Sequence, residues 1–197
     1  MSLSNDDRRT LMSVARQAIE YGLPSAGRYK LPLDPLNYSE VLQQKRATFV
    51  TLQIVTLQAT ADLRGCIGTL EAYQALVVDV AHNAHAAAFS DPRFFPLSAS
   101  EYENIDIHIS ILSPATPMTF ESEDDLLAQL QPGVDGLVLQ EGINKGTFLP
   151  SVWESLPDAA QFLAHLKRKA GLPQDYWSET LQVSRYTTES FGEKDIE

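Results

Sequence analysis

The chain has 197 residues, of which 44% are hydrophobic and 21% charged, and this composition excludes a disordered chain. Its formal net charge of −11 at pH 7 repels phosphate backbones, which disfavours nucleic-acid binding. The single cysteine, Cys66, excludes an intrachain disulfide and favours a reducing compartment. No apolar run reaches the roughly 20 residues of a membrane helix, so we expect a cytoplasmic protein without a membrane segment.

Hydrophobic periodicity predicts the elements in chain order. Asn5 or Asp6 is the expected N-cap of the first helix, and a Pro- and Gly-containing connection follows it at residues 23–37. The other predicted helices lie at residues 73–89, 122–130 and 157–170, with a short helical turn at residues 39–45. The predicted strands lie at residues 48–57, 62–70, 105–112, 134–140, 146–149 and 180–188.

The order of these elements predicts the fold class. Hairpins mixed with helices favour an α+β fold with a largely antiparallel sheet over a parallel βαβ sheet. The second half of the chain roughly repeats the first, because each half contains a helix, two strands, a helix and a further strand. The sequence contains no Gly-rich phosphate loop of the Walker or Rossmann type, and we predict no cofactor.

The segment Leu-Arg-Gly-Cys-Ile-Gly at residues 63–68 is the candidate functional centre. Two glycines within a strand, Gly65 and Gly68, are typical of a bulge or of close approach by another group. N–H groups near such glycines can form an anion-binding nest, and Arg64 adds a bidentate positive charge. Beside it Cys66 would be stabilised as a nucleophilic thiolate. The competing interpretation, a small buried cysteine in a bulged strand, is favoured by local spacing alone.

A nucleophilic cysteine usually requires a base, for which the sequence offers His82, His85, His108 and His165. His82 and His85 form an Asp-x-x-His-x-x-His series with Asp79. Steps of three residues drift around a helix by about 60°, so these side chains do not converge on one ion. Because no second cysteine supports zinc binding, we predict no metal site and expect packed or surface histidines.

Two further segments combine turn residues with chemically useful side chains. The rigid Asp91-Pro92 turn could present Arg93 to a carboxylate or phosphate. The alternative is an Asp91–Arg93 ion pair that holds the loop together, and we favour it because such pairs are common. Residues 146–153 join a turn to Trp153, which is more often a core residue than a ligand platform.

Several motifs together make the chain resemble the AMMECR family, and in particular the bacterial and archaeal type known as protein A of the AmmeMemoRadiSam system. The hexapeptide at residues 63–68 is the hallmark of that family. The other matching motifs are Phe-Val-Thr-Leu at 49–52, Ala-Ala-Ala-Phe-Ser-Asp-Pro-Arg-Phe at 86–94 with Pro96 and Glu101, Ser-Ile-Leu-Ser at 110–113, Gly-Val-Asp-Gly-Leu-Val-Leu at 133–139, Gly-Thr-Phe-Leu-Pro at 146–150 and Lys-Ala-Gly-Leu at 169–172.

The resemblance implies an α+β fold in which two β/α repeats share one largely antiparallel, barrel-like sheet flanked by helices. The expected domain spans residues 1–197, with or without a small lobe packed on a larger one. The resemblance also implies a cleft lined by the hallmark. The implied cleft residues are Arg64, Gly65, Cys66, Ile67 and Gly68, with Asp91 and Arg93 as weaker additions.

The resemblance further implies partners, a Memo-like protein and a radical-SAM protein. The family has no established biochemical activity, so no set of catalytic residues is transferred. His108 stands where the family usually has an acidic residue, which argues against His108 as a general base.

The sequence supports two functions. One is a non-catalytic binding or adaptor protein whose cleft recognises a small anion or a partner's peptide. The other is an enzyme or modification factor that uses Cys66 as a nucleophile. We favour the binding protein, because catalysis generally needs convergent groups and the sequence does not assemble them.

Overall fold

The computed structural model describes residues 3–55 and 61–196. The chain divides into two compact units, and the boundaries fall after Leu112 and after Thr188. Unit 2 is the intervening segment Ser113–Thr188, and unit 1 comprises the chain on either side of it. Within the described residues, no helix combines the length and the apolarity that crossing a membrane requires.

Unit 1 contains a four-stranded sheet with helices packed against it. Its elements are α1 (Asn5–Gly22), α2 (Glu40–Gln43), β1 (Thr48–Val55), β2 (Ala61–Gly68), α3 (Leu76–Phe89), α4 (Ala99–Tyr102), β3 (Ile105–Leu112) and β8 (Thr188–Gly192), with short 3-10 helices at Leu23–Ser25, Pro35–Asn37 and Glu193–Asp195. Residues 56 and 57 of the predicted first strand lie outside the described residues.

The strand order of this sheet is β2-β1-β3-β8, so β2 is an outer strand. Helix α3 packs on β1 and β2, and α1 packs on α3. The isoleucines that alternate along β3 are all buried, and Ile107 and Ile109 are completely so. This confirms the half-buried strand expected from their spacing.

Helix α1 is capped by Ser4 rather than by Asn5 or Asp6. The Ser4 side chain accepts a hydrogen bond from the Asp7 backbone N–H, so the helix begins one residue later, at Asn5. Helix α3 begins at Leu76 and not at residue 73. The Leu76 N–H donates to the Gln44 carbonyl, which lies outside the helix.

Unit 2 contains a second four-stranded sheet, with the order β4-β7-β5-β6. Its elements are β4 (Thr116–Pro117), α5 (Glu123–Gln129), β5 (Gly136–Glu141), β6 (Asn144–Phe148), a 3-10 helix at Pro150–Glu154, α6 (Ala159–Lys169) and β7 (Gln182–Tyr186). Trp153 stacks on Phe162 with ring centroids 3.8 Å apart, and its indole N–H donates to the Asp135 carbonyl at 2.7 Å. Trp153 is therefore a core residue, as its sequence context indicates.

The two units repeat one topology. In unit 1 the antiparallel pair β1–β2 precedes α3, and β3 then pairs with β1. In unit 2 the pair β5–β6 precedes α6, and β7 then pairs with β5. The α+β class, the repeat and the antiparallel pairing are thus confirmed.

The expectation of a single shared sheet needs correction, because each repeat forms its own sheet and neither sheet closes into a barrel. Strand β3 ends before Pro114, which has no N–H to continue a ladder. The strand predicted at residues 180–188 is likewise divided between β7 and β8. Thr187 separates them, because its N–H and carbonyl bond the Ser113 hydroxyl and N–H, respectively.

The β5–β6 connection is tighter than expected. Glu141 pairs with Asn144, so Gly142 and Ile143 alone form the turn and β6 begins before Gly146. Gly142 has a φ of +56°, a left-handed conformation that glycine adopts without a Cβ penalty and that two-residue hairpin turns require.

Candidate functional site

The hallmark segment forms most of β2, and it contains a β-bulge at Arg64. Gly65 pairs with Leu52 and Leu63 pairs with Gln53, so Arg64 has no partner on β1. A bulge of this kind turns the extra residue away from the regular alternation of the strand. Arg64 is 8% exposed although arginine is rarely buried without a charged partner.

Both glycines of the motif allow close approach, as predicted. A Cβ on Gly65 would overlap the backbone carbonyl of Ala87, so α3 lies directly against β2 at this point. A Cβ on Gly68 would overlap the Phe49 ring of the neighbouring strand. The motif is therefore shaped by backbone packing on one side and by cross-strand packing on the other.

The Arg64 guanidinium is held by Glu101 and by the backbone of Phe95. Its Nε donates to Glu101 Oε1 at 2.8 Å, and its Nη2 donates to the Phe95 carbonyl at 2.8 Å. The Phe94 ring lies 5.5 Å from the guanidinium carbon, a cation–π contact. The hydrogen bond from Arg64 lowers the pKa of Glu101 to about 2, so this carboxyl group is ionised at neutral pH.

Asp91 and Arg93 cover the outer edge of β2 at Cys66. The Cys66 N–H donates to Asp91 Oδ2 at 2.9 Å, and Arg93 Nη2 donates to the Cys66 carbonyl at 3.5 Å. Arg93 also pairs with Asp91, with 2.6 Å between Nη2 and Oδ2, which lowers the pKa of Asp91 to about 2. The Asp91 side chain is only 2% exposed, whereas Arg93 remains half-exposed. The Asp91–Arg93 ion pair therefore holds its own loop together and also bonds the backbone of the motif at Cys66.

Cys66 is half-buried, and its sulfur accepts a hydrogen bond from a hydroxyl group. Thr51, the residue opposite it on β1, donates from Oγ1 to Cys66 Sγ at 3.2 Å. No histidine hydrogen-bonds to the sulfur in the part of the chain that the structure describes. A general base of the kind that activates cysteine nucleophiles is thus not assembled by these residues.

In the Asp79-x-x-His82-x-x-His85 series, the Asp79 carboxylate has different partners from the two histidines. Asp79 is completely buried, and it accepts hydrogen bonds from Thr48, Thr69, Gln74 and Asn83. His82 lies 3.4 Å from the Tyr73 hydroxyl, and His85 lies 3.2 Å from the Tyr29 carbonyl. In residues 3–55 and 61–196, no cluster of three or more His, Cys, Asp or Glu side chains is arranged to hold a metal ion.

His108 is opposite Thr51 on the neighbouring strand β3, and Thr51 in turn is opposite Cys66, so the Thr51 side chain stands between His108 and the sulfur. His108 lies 3.6 Å from Asp106 on the same strand, and its side chain is 43% exposed. The fold brings Arg64, Cys66, Asp91 and Arg93 together, and His108 follows Thr51 in the same cross-strand row as Cys66. The α3 histidines bond to Tyr73 and Tyr29 instead.

Three residues of the site were not among the sequence-predicted site residues: Thr51, Phe95 and Glu101. Glu101 closes a capping box with Ser98, and that Ser-x-x-Glu spacing is visible in the sequence. Thr51 could be found only from the β1–β2 register, which a bulge shifts. Phe95 is 90% exposed, and an exposed aromatic side chain has no periodic signal in a single sequence.

The fold and site define a class, an α+β protein with two β-β-α-β repeats, one of which carries a bulged outer strand with a buried arginine. The profile of the AMMECR1 family matches residues 12–191, and the chain belongs to this family. The match runs through both units, and it confirms the family that the motifs indicate.

Several similar proteins come from archaea. The chain is 37% identical to a protein of Methanothermobacter thermautotrophicus over 97% of this chain and 96% of that protein. It is 38% identical to a protein of Saccharolobus islandicus over 93% of this chain and 80% of that protein. The crystal structure of an uncharacterized protein from Pyrococcus horikoshii is similar with a TM-score of 0.85 and 34% identity, over 94% of this chain and 90% of that one.

Proposed function

We propose that this protein is a non-catalytic binding protein of the cytoplasm, and that it recognises its partners through residues 63–68 and 91–95, which we call the edge site. The proposal rests on one observation. The Arg64 guanidinium fixes the carbonyl of Phe95, whose side chain is 90% exposed. A buried arginine, paired with the partly exposed Glu101, thus holds the backbone beneath a solvent-exposed phenyl ring, which is the arrangement of a preorganised aromatic anchor.

Other side chains of the edge site support the same function. Leu63 is 43% exposed on β2, next to Arg64 in sequence, and it adds apolar surface to the hallmark segment. Both arginines already bind carboxylates within the chain, Glu101 and Asp91, which reduces their capacity to attract a further anion. We therefore favour a protein surface with an apolar pocket as the partner over a small anion.

The Memo-like and radical-SAM proteins that the family resemblance implies are the partners we propose. The test is a calorimetric titration of this protein with each of those two proteins from the same genome. Phe95→Ala should weaken binding about tenfold, because it removes the aromatic anchor and leaves the Arg64–Glu101 pair intact. Cys66→Ser should bind like the wild type, because we propose that Cys66 contributes its backbone, and not its thiol, to the edge site.

Ile143→Ala is the matched control. Ile143 is 100% exposed in the β5–β6 turn of unit 2, so its truncation removes a similar apolar surface from a residue that is not part of the edge site. Its affinity should equal that of the wild type. Equal affinities of the wild type and Phe95→Ala would contradict the proposal, as would complete loss of binding in Cys66→Ser.

A second candidate function is supported by the surroundings of the sulfur. The Thr51 hydroxyl donates to Sγ, and the cationic Arg93 side chain reaches the Cys66 carbonyl, so both favour negative charge at this position. An enzyme or modification factor acting through Cys66 would show a thiol that iodoacetamide alkylates faster, at one pH, than the cysteine of an unstructured peptide. Thr51→Val should then slow alkylation. Alkylation of both proteins at the rate of the peptide would contradict this alternative.

A further inference from the structure

A cavity of about 220 Å³ lies in unit 1, away from the residues of the edge site. It is bounded by α1, by the connection that follows α1 and by α3. The α3 side chains that line it include Val78, His82 and His85, which recur at steps of four and three residues and so share one face of the helix. The connection contributes Leu31 and Leu33.

The wall of the cavity combines an apolar surface with a few polar groups, as ligand sites do. Leu31, Leu33 and Val78 are partly buried side chains that pack on the core of unit 1. The polar side chains include Lys30 and the two histidines. The cavity has the volume of roughly seven water molecules, so it suits a ligand of fragment size.

His85 is a fixed part of this wall. It is 3% exposed, and its ring lies 5.0 Å from the Phe89 ring. Its Nε2 is 3.2 Å from the Tyr29 carbonyl, which can only accept, so Nε2 carries a proton. Because two contacts hold the ring, this side of the cavity is already formed before a ligand binds.

The electrostatics of the cavity are opposite in sign to those of the whole chain. The pKa of His85 is lowered first by burial, and Lys30 and His82 lower it further through charge repulsion. Within residues 3–55 and 61–196, no carboxylate forms an ion pair with Lys30. Among the described residues that line the cavity, the exposed Lys30 alone has a fixed charge, so the charge of the lining is opposite in sign to the net charge of −11 and favours an anionic group.

Two exposed tyrosines adjoin the lining histidines. Tyr29, which is 67% exposed, bonds to His85 through its carbonyl, and Tyr73, which is 53% exposed, bonds to His82 through its hydroxyl. Neither tyrosine is among the described residues that line the cavity, so the surface available to the apolar body of a ligand is that of Leu31, Leu33 and Val78.

We infer that this cavity binds a small monocarboxylate with an aromatic body, its carboxylate at Lys30 and His82 and its ring against Leu31, Leu33 and Val78. This site goes beyond the proposed function, because it uses no residue of the edge site.

Benzoate is the probe, and benzyl alcohol is its neutral counterpart of similar shape. Each is titrated into the ¹⁵N-labelled full-length protein while amide chemical shifts are recorded. We expect benzoate to shift amides of residues 30–33 and 78–85 with a dissociation constant at least about fivefold below that of benzyl alcohol, as one partly exposed charge pair contributes. Equal affinities, or no saturable shift with benzoate, would overturn the inference.

Variants separate the site from general charge effects. Lys30→Gln should weaken benzoate binding about fivefold and leave benzyl alcohol unaffected. Lys145→Gln removes the same charge from β6, outside the cavity, and should bind benzoate like the wild type. Val78→Phe should fill the cavity and abolish binding, with circular dichroism checking that it folds. Benzoate binding that survives in folded Val78→Phe, or that weakens equally in Lys145→Gln, would place the ligand elsewhere.

Discussion

At Gly65 the absence of a side chain leaves room for the carbonyl of Ala87, so α3 and β2 approach each other through their backbones. At Gly68, three residues further, the space is taken by the Phe49 ring. The two glycines of the hallmark therefore have different neighbours. The neighbour of Gly65 is a backbone carbonyl, which no substitution removes, and the neighbour of Gly68 is a side chain, which a substitution can remove. This difference makes their roles separable by experiment.

Gly65→Ala should destabilise the protein by about 1–3 kcal/mol, because a Cβ at this position overlaps a backbone atom and forces strand and helix apart. Ala87→Gly should not rescue it, since that change leaves the carbonyl in place. Gly68→Ala should be rescued by Phe49→Ala, which removes the ring that the new methyl group meets. The free energies of unfolding come from urea titrations. Rescue of Gly65→Ala by Ala87→Gly would contradict the backbone contact.

The Arg64–Glu101 pair should make stability depend on pH in the acid range. The pKa of Glu101 is about 2 in the folded protein against an ordinary value of 4.5, so its stabilising contribution is present above pH 4.5 and is lost as the pH falls towards 2. Glu101→Gln should therefore lower the thermal midpoint at neutral pH and flatten its decline below pH 4.5.

Glu103→Gln, a change at the exposed residue that follows α4, is the control, and its curve should follow that of the wild type. Parallel curves for Glu101→Gln and the wild type would show that the pair does not contribute. Asp91, whose pKa is also about 2, is present in all of these proteins, so its contribution to the decline of the thermal midpoint at acid pH is the same in each.

The residues of the site were predictable from the sequence where their residue type is unusual for a strand. Gly65 and Gly68 stand out in a strand because they lack side chains, and Arg64 stands out because it lies between small and apolar neighbours. The partner of Arg64 was not predictable as such, because Glu101 lies 37 residues away and the bulge that turns Arg64 inward has no sequence period. Distant contacts of this kind follow from register and not from local pattern.

Among the elements, β2 shows how an outer strand is protected. Its free edge at Cys66 is bonded by two side chains of one loop, Asp91 to the N–H and Arg93 to the carbonyl. Natural sheets cover exposed edges with charges or loops so that other strands do not pair with them. The Asp91–Arg93 pair fulfils that requirement beside the edge site.

Asp91→Ala should expose the Cys66 amide and speed its hydrogen exchange about tenfold or more, because the N–H loses its acceptor. Arg93→Ala should have a much smaller effect, since Asp91 still accepts the Cys66 N–H in that variant. Exchange is measured residue by residue with NMR. An unchanged Cys66 rate in Asp91→Ala would show that this hydrogen bond does not protect the edge.

Most helices and strands were predictable in type, because apolar spacing distinguishes a period of 3.6 from a period of 2. Their ends were less so. Ser4 rather than Asn5 caps α1, and β6 begins at Asn144 because Gly142 permits a two-residue turn. The division of residues 180–188 into β7 and β8 depends on hydrogen bonds between Thr187 and Ser113, which no local signal reveals.

In the whole molecule, unit 2 is an insertion between two strands of unit 1. Its first and nearly last residues meet, because the Ser113 N–H donates to the Thr187 carbonyl at 2.9 Å. Beyond this point Ser190 on β8 bonds Ser110 on β3 at 2.9 Å, as in a hairpin. The segment of residues 114–186 thus begins and ends at adjacent positions, next to the ends of β3 and β8.

Replacing residues 114–186 by an Asn-Gly turn should leave unit 1 folded, because the turn closes the β3–β8 hairpin that the Ser113–Thr187 bond already closes. Circular dichroism and dispersed amide resonances would report a folded product with a cooperative thermal transition. A chain without such a transition would show that the protein folds only as a single domain. The sequence is compatible with both domain organisations, a single domain over residues 1–197 and a larger lobe with a smaller lobe packed on it.

The meeting of Ser113 and Thr187 also has a consequence for the order of events during folding. Pairing β3 with β8 requires closure of the segment between them, and for a flexible loop of that length the entropy cost is about 4 kcal/mol. If residues 113–188 collapse first, their ends are already adjacent, and the remaining closure is no longer than a tight turn. The β3–β8 pairing would then become a local contact, and mutations in the core around Trp153 would slow the folding of a sheet that they do not belong to.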